Sequence, residues 1–286
     1  MDAERIAALV IAVGFPLLMH RPLFPMVREK LRTAGLVRPN YRGEEVVTAG
    51  GVILVFTSQA TLLFLLLHGL WQRAVWLHLP EGILLGGGIL SIGVWGFLDD
   101  LTKEKDTKGF RGHFGVLWRE RRMTTGVWKA IGGGGTAVLT AGFLSSSLWT
   151  WLLASCLLAV CSNLLNLFDL RPGRAIKVFW LLVLFCLAAG EIAIWGVPVI
   201  ASSAALFSQD ARGEIMLGDT GANVLGFVAG YLLVTSLSWQ GQLSILALFV
   251  LLHVLAEYVS FSSWIERITW LDRLDQWGRQ PKQSRG

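Results

Sequence analysis

The chain has 286 residues, 53% of them hydrophobic and 16% charged, with 32 glycines, 13 tryptophans and a mean hydropathy of +0.56. That balance excludes a disordered chain and argues against a soluble globular domain; it suits packed apolar helices with aromatic anchors at a membrane surface. The net charge of +5 has to be read by membrane side before nucleic acid is considered. Cys156, Cys161 and Cys186 all lie in apolar runs and form neither a disulfide framework nor a CxxC metal site.

About 20 apolar residues cross a ~30 Å hydrocarbon core, and the sequence predicts nine such helices, over 6–26, 47–68, 82–98, 126–144, 148–165, 178–190, 191–207, 221–237 and 243–260. Asp2 and Glu4 replace the basic start of a signal peptide, so the first is read as a retained helix. Gly190-Glu191 and Pro198 interrupt the stretch 178–207, which is either one tilted helix or two short ones. Charge decides. With nine helices and the N-terminus outside, all 25 basic residues except Arg5 and Arg73 fall on inner segments, as the positive-inside rule requires. A single helix over 178–207 would place the basic tail outside. The expected fold is therefore all-α and polytopic in the cell membrane, with one transmembrane domain over 1–260 and a cytoplasmic amphipathic tail over 261–286. In that tail Trp264, Ile265, Ile268, Trp270, Leu271, Leu274 and Trp277 alternate with charges. The basic excess then faces anionic lipid, and no nucleic-acid partner is needed. Gly86-Gly87-Gly88 and Gly132 to Gly135 are read as sites of close helix approach.

Carboxylates beside a hydrocarbon core are costly and mark function or pairing. Asp99-Asp100 closes the third predicted helix, Asn163, Asn166 and Asp169 share one face at the end of the fifth, and Asp219 opens the eighth. A helix cap or a solvated helix end accounts for each alone. Together they bring three acidic clusters to one membrane surface, beside a basic loop over 99–129. Carboxylates with Lys and Arg at such a boundary suit a divalent cation and a diphosphate, and phosphoryl transfer asks chiefly for positioning and charge neutralisation.

On the stretches Thr48-Ala-Gly-Gly51, GFLDDLTKEKDTKG at 96–109, NLLNLFD at 163–169 and MLGDTGANVLG at 216–226, the chain resembles the polyprenyl-phosphate N-acetylhexosamine-1-phosphate transferases. The resemblance implies transfer of a sugar-1-phosphate from a UDP-sugar to a polyprenyl phosphate on the cytoplasmic side. It also implies magnesium as cofactor, with manganese as a substitute. Position by position, it implies Asp99, Asp100 and Asp169 as catalytic residues and Asp219 as the metal ligand. Lys103, His113, Asn163 and Asn166 are implied in substrate binding. The chain departs from the family in three places: it lacks the His-rich loop after the ninth helix and a tenth helix, Pro172 replaces an acidic residue, and Gly43 replaces a lysine. Arg42, Arg171 and Arg174 are then the expected diphosphate contacts.

Two other functions fit parts of the pattern. A non-catalytic relative binding carrier lipid or nucleotide would explain the missing histidines. An ion-coupled transporter would explain acids among broken helices, although here they gather at one face. His253 and Glu257, four apart on the ninth helix, are expected to pair. The sequence leaves the oligomeric state open, a homodimer included.

Overall fold

The computed structural model describes residues 3–102, 125–189 and 193–279. Among the described residues, a helix overlaps each predicted segment: α1 (Ala3–Thr33), α2 (Gly51–Gln72), α3 (Leu79–Leu101), α4 (Thr125–Leu144), α5 (Leu148–Phe168), α6 (Arg174–Ala189), α7 (Val197–Ala211), α8 (Gly218–Ser236) and α9 (Trp239–Tyr258). The stretch 178–207 is divided, with α6 and α7 flanking a 3₁₀ turn at Ile194–Gly196. Among the described residues, five helical segments are long and apolar enough to cross a membrane: Ala3–Thr33, Gly51–Gln72, Val75–Leu101, Leu148–Phe168 and Trp239–Tyr258. The chain is accordingly a helical protein compatible with multiple membrane passes.

The region after α1 departs from the all-α expectation. A short antiparallel hairpin, β1 (Val37–Pro39) and β2 (Glu45–Val47), follows α1 with Val37 opposite Val47. Its turn is set by Asn40, whose side-chain oxygen accepts from the Arg42 and Glu44 amides. The tail, expected to be amphipathic, is divided into two short helices, α10 (Phe261–Arg267) and α11 (Thr269–Gln276), which leaves the hairpin as the departure from an all-α fold among the described residues.

The helices α1 to α7 contact one another in chain order, and α7 returns to α1, closing a ring. Inside it stands α8, packed mainly on α5 and α3 and then on α6 and α2. Every residue of α8 from Thr220 to Leu233 is buried, as a helix sheathed by protein on all sides must be. By contrast α9 lies outside the ring against α5 and buries only Phe249 fully.

Backbone approach at one end of this bundle is close because glycines permit it. A β-carbon on Gly51 of α2 would collide with the Gly221 backbone of α8, and one on Gly96 of α3 would lie 2.6 Å from the Asp219 carbonyl oxygen. The predicted glycine runs serve less uniformly. Gly88 abuts Phe227 and Gly132 abuts Trp95, while Gly87, Gly134 and Gly135 have open space.

Candidate functional site

The first turn of α8 gathers most of the residues singled out in the sequence. The Thr48–Gly51 stretch reaches it through the backbone: the Gly50 amide donates to the Met216 carbonyl at 2.9 Å and the Gly51 amide to Leu217 at 2.8 Å. On the other side of the hairpin, the Met216 amide donates to Val47 at 2.8 Å. Two stretches 165 residues apart, Gly51 and Met216 at their near ends, thus form one bonded unit. Gly218 holds a positive φ of 72° there, a conformation that glycine adopts without steric cost.

A helix N-terminus presents unpaired amides and a positive dipole end, and here carboxylates from three other segments occupy it. Asp100 of α3 accepts from the Asp219 amide at 3.0 Å, the Thr220 amide at 2.9 Å and the Thr220 hydroxyl. Asp169, just beyond the end of α5, lies beside the Gly218 amide. Asp210 of α7 accepts from the Leu217 amide at 3.2 Å and the Gly173 amide at 2.8 Å. Three of the four amides from Leu217 to Thr220 are therefore held by Asp210 and Asp100, with Asp169 beside the fourth.

This pattern sorts the acidic residues by what they touch. Asp100 is 7% exposed and Asp210 2% exposed; both are braces that tie α3, α7 and the 169–173 turn to α8. The cap of α8 is thus supplied from α3, and not by Asp219 itself. Asp99, Asp169 and Asp219 are half-buried. Burial pushes the Asp169 carboxyl well above its ordinary range, and the nearby charges of Asp210, Asp219 and Asp100 push it the same way.

The remaining expected residues divide into groups. Asn166 is half-buried and its carbonyl accepts from the Asp169 amide at 3.1 Å, whereas Asn163 is exposed. Arg42 and Arg171 meet on one aromatic ring, their guanidinium carbons 5.2 and 4.4 Å from the Tyr41 centroid. Arg42 also borders a small, open cleft of about 20 Å³ with Asn40, Glu44, Arg212 and Arg279. Arg174, 3% exposed, is bound bidentately by Asp275 of α11, with both contacts at 2.8 Å. Its third edge donates to Ser262, so Arg174 faces the tail and not the cleft. Lys103 and His113 lie outside the described residues. His253 bonds the Phe249 carbonyl within its own helix at 2.8 Å, in place of the expected pairing with Glu257.

Asp210 is the functional residue that sequence reasoning missed. The signal was present, since an aspartate follows an apolar run at the same end as the other four acids.

Among the described residues, no three His, Cys, Asp or Glu side chains are arranged as a metal cage. Magnesium seldom uses one. It retains waters and takes one or two carboxylates together with substrate phosphates. Asp169 and Asp219 are a hard-oxygen donor set of that size, and the concentration of negative charge around Asp169 is what a divalent cation offsets. No protein-family model matches the chain, and no curated protein matches it either.

Proposed function

We propose that this protein transfers a sugar-1-phosphate from a UDP-sugar to a polyprenyl phosphate at the cytoplasmic face of the membrane, giving a polyprenyl-diphospho-sugar and UMP. The observation that supports this most is the convergence of Asp99-Asp100, Asp169 and Asp219, three widely separated segments, on the first turn of one buried helix. In the proposed reaction an oxygen of the lipid phosphate attacks the β-phosphorus of the UDP-sugar. The bond from that phosphorus to the bridging oxygen breaks, and UMP departs with the electron pair. A bound magnesium ion would neutralise the diphosphate charge, held by Asp219 with Asp169. Asp99 would orient the lipid phosphate or accept its proton. Asp100 keeps the first turn of α8 in register beneath them. Arg42, beside its cleft, suits the nucleotide phosphates.

Incubating the protein in nanodiscs with undecaprenyl phosphate, magnesium and a panel of UDP-sugars tests this reading. UMP release that chelation abolishes is the expected result. One observation favours a second reading: Arg174, a residue expected to contact diphosphate, is engaged by the tail. A relative that binds carrier lipid without turnover would bind polyprenyl phosphate tightly and release no UMP with any sugar nucleotide.

A further inference from the structure

The turn joining α5 to α6 carries Asp169, and the C-terminal tail holds that turn almost residue by residue. Phe168 stacks on Phe261 of α10, with ring centroids 5.3 Å apart. Arg171 pairs with Glu266 at 3.1 Å. The Pro172 carbonyl accepts from Arg279 at 3.0 Å. Arg174 is gripped by Asp275 and Ser262, and Arg279 reaches the same Asp275 carboxylate at 2.7 Å. In return, Lys177 donates to the Leu274 and Asp275 carbonyls at 3.0 and 2.6 Å, closing the end of α11. Gly173, between these contacts, is held from within the bundle by Asp210.

We infer that the tail is a strap that sets the position of Asp169, with Asp275 and Arg174 as its positioning pair. The pair is buried, with Arg174 3% and Asp275 7% exposed. Removing one partner of such a pair leaves an uncompensated charge away from water, which is far more disruptive than losing a surface ion pair. Only four residues, Leu170 to Gly173, separate Arg174 from Asp169, and the tail's contacts at Arg171 and Pro172 act on the same short segment. Loosening Asp275 therefore frees the segment that aims Asp169, while the buried α8 stays intact. The strap rests on the proposed transferase reading only for its effect on rate; its mechanical content stands on the contacts themselves.

Hydrogen exchange of the full-length protein in nanodiscs tests the strap. Asp275→Asn should accelerate exchange over 169–177 by at least ~10-fold, because a buried ion pair is broken and the segment opens locally. Protection of 221–233 in α8 should be unchanged. Asp275→Glu should restore most of the protection, and Asp272→Asn, at a half-buried position on the same helix where the carboxylate accepts from Gln276 and not from Arg174, should have no effect. Should Asp275→Asn also lose α8 protection, Ser262→Ala decides, since it removes only the third Arg174 contact and should give a smaller acceleration confined to 169–177. In the UMP assay Asp275→Asn should lower kcat with little change in KM for UDP-sugar, because a displaced Asp169 affects chemistry more than nucleotide binding. Unchanged exchange over 169–177 in both Asp275→Asn and Ser262→Ala overturns the strap. A gain of pyrophosphate binding with faster turnover in Asp275→Asn also overturns it, because the tail would then be a lid blocking Arg174. A wild-type protein that releases no UMP but shows the exchange response loses the transferase reading and keeps the strap.

Discussion

Asp100 and Asp219 are separated by one hydrogen bond, yet their losses should read differently. Asp100→Asn weakens charge-assisted contacts to three donors and leaves amides of α8 poorly paired in a buried place. It should lower stability by about 1–3 kcal/mol, seen as an earlier thermal transition of the detergent-solubilised protein. Asp219→Asn, at a half-buried position, should leave that transition nearly unchanged while abolishing turnover and manganese binding measured by electron paramagnetic resonance. Undiminished manganese binding would remove Asp219 from the metal assignment. Asp169 makes a different prediction. Its folded carboxyl is raised above the ordinary carboxylate range by burial and by Asp210, Asp219 and Asp100. The stability it contributes is therefore full below the ordinary value and is lost as pH rises through the elevated one. Without divalent cation, the protein should become less stable from mildly acidic toward neutral pH. Asp169→Asn should flatten that slope, and magnesium should oppose it in the wild type only. A slope unchanged in Asp169→Asn would assign it to another group.

At the scale of elements, the contact of α3 with α8 depends on Gly96, where an added β-carbon would meet only backbone. Gly96→Leu should cost at least about 1–3 kcal/mol through overpacking and shift Asp219, so turnover and thermal stability should fall together. How far the elements were legible in advance follows from the range of the forces that make them. The positions of α1 to α9 could be read because an apolar run is a local property. The division of 178–207 could be read because Gly190, Glu191 and Pro198 interrupt one. The gathering of Asp99-Asp100, Asp169 and Asp219 followed from their common place at helix ends. The hairpin at Val37–Val47 was hidden, since its strands have three residues each and depend on pairing with Met216. The roles of Asp100 as a cap in trans, of Asp210 as a brace and of Arg174 as a tail anchor were hidden for a related reason. Each is defined by a partner dozens of residues away, and spacing along the chain carries no trace of that partner.

At the scale of the whole molecule, charge asymmetry predicts which end of the bundle faces the cytoplasm. A cysteine introduced at Arg73, between α2 and α3, should react with membrane-impermeant maleimide in intact cells, and one at Arg273 in α11 only after permeabilisation. Both experiments need Cys156→Ser, because Cys156 is exposed while Cys161 and Cys186 are buried. Labelling at position 273 in intact cells would reverse the sidedness and place the carboxylate cluster outside.

The burial of α8 also has a consequence for biogenesis. Enclosed by its neighbours from Thr220 to Leu233, this helix is not among those apolar enough to cross a membrane unaided. A nascent chain emerging from the translocon would present α8 to lipid at a disadvantage, and the helix gains a favourable environment only once α2, α3, α5 and α6 form a sheath to receive it. Its first turn is also where Asp100 and Asp210 find their amide partners, with Asp169 beside them. Seating of α8 and completion of the acidic centre are then one event, so a chain stalled before that step would lack the centre altogether.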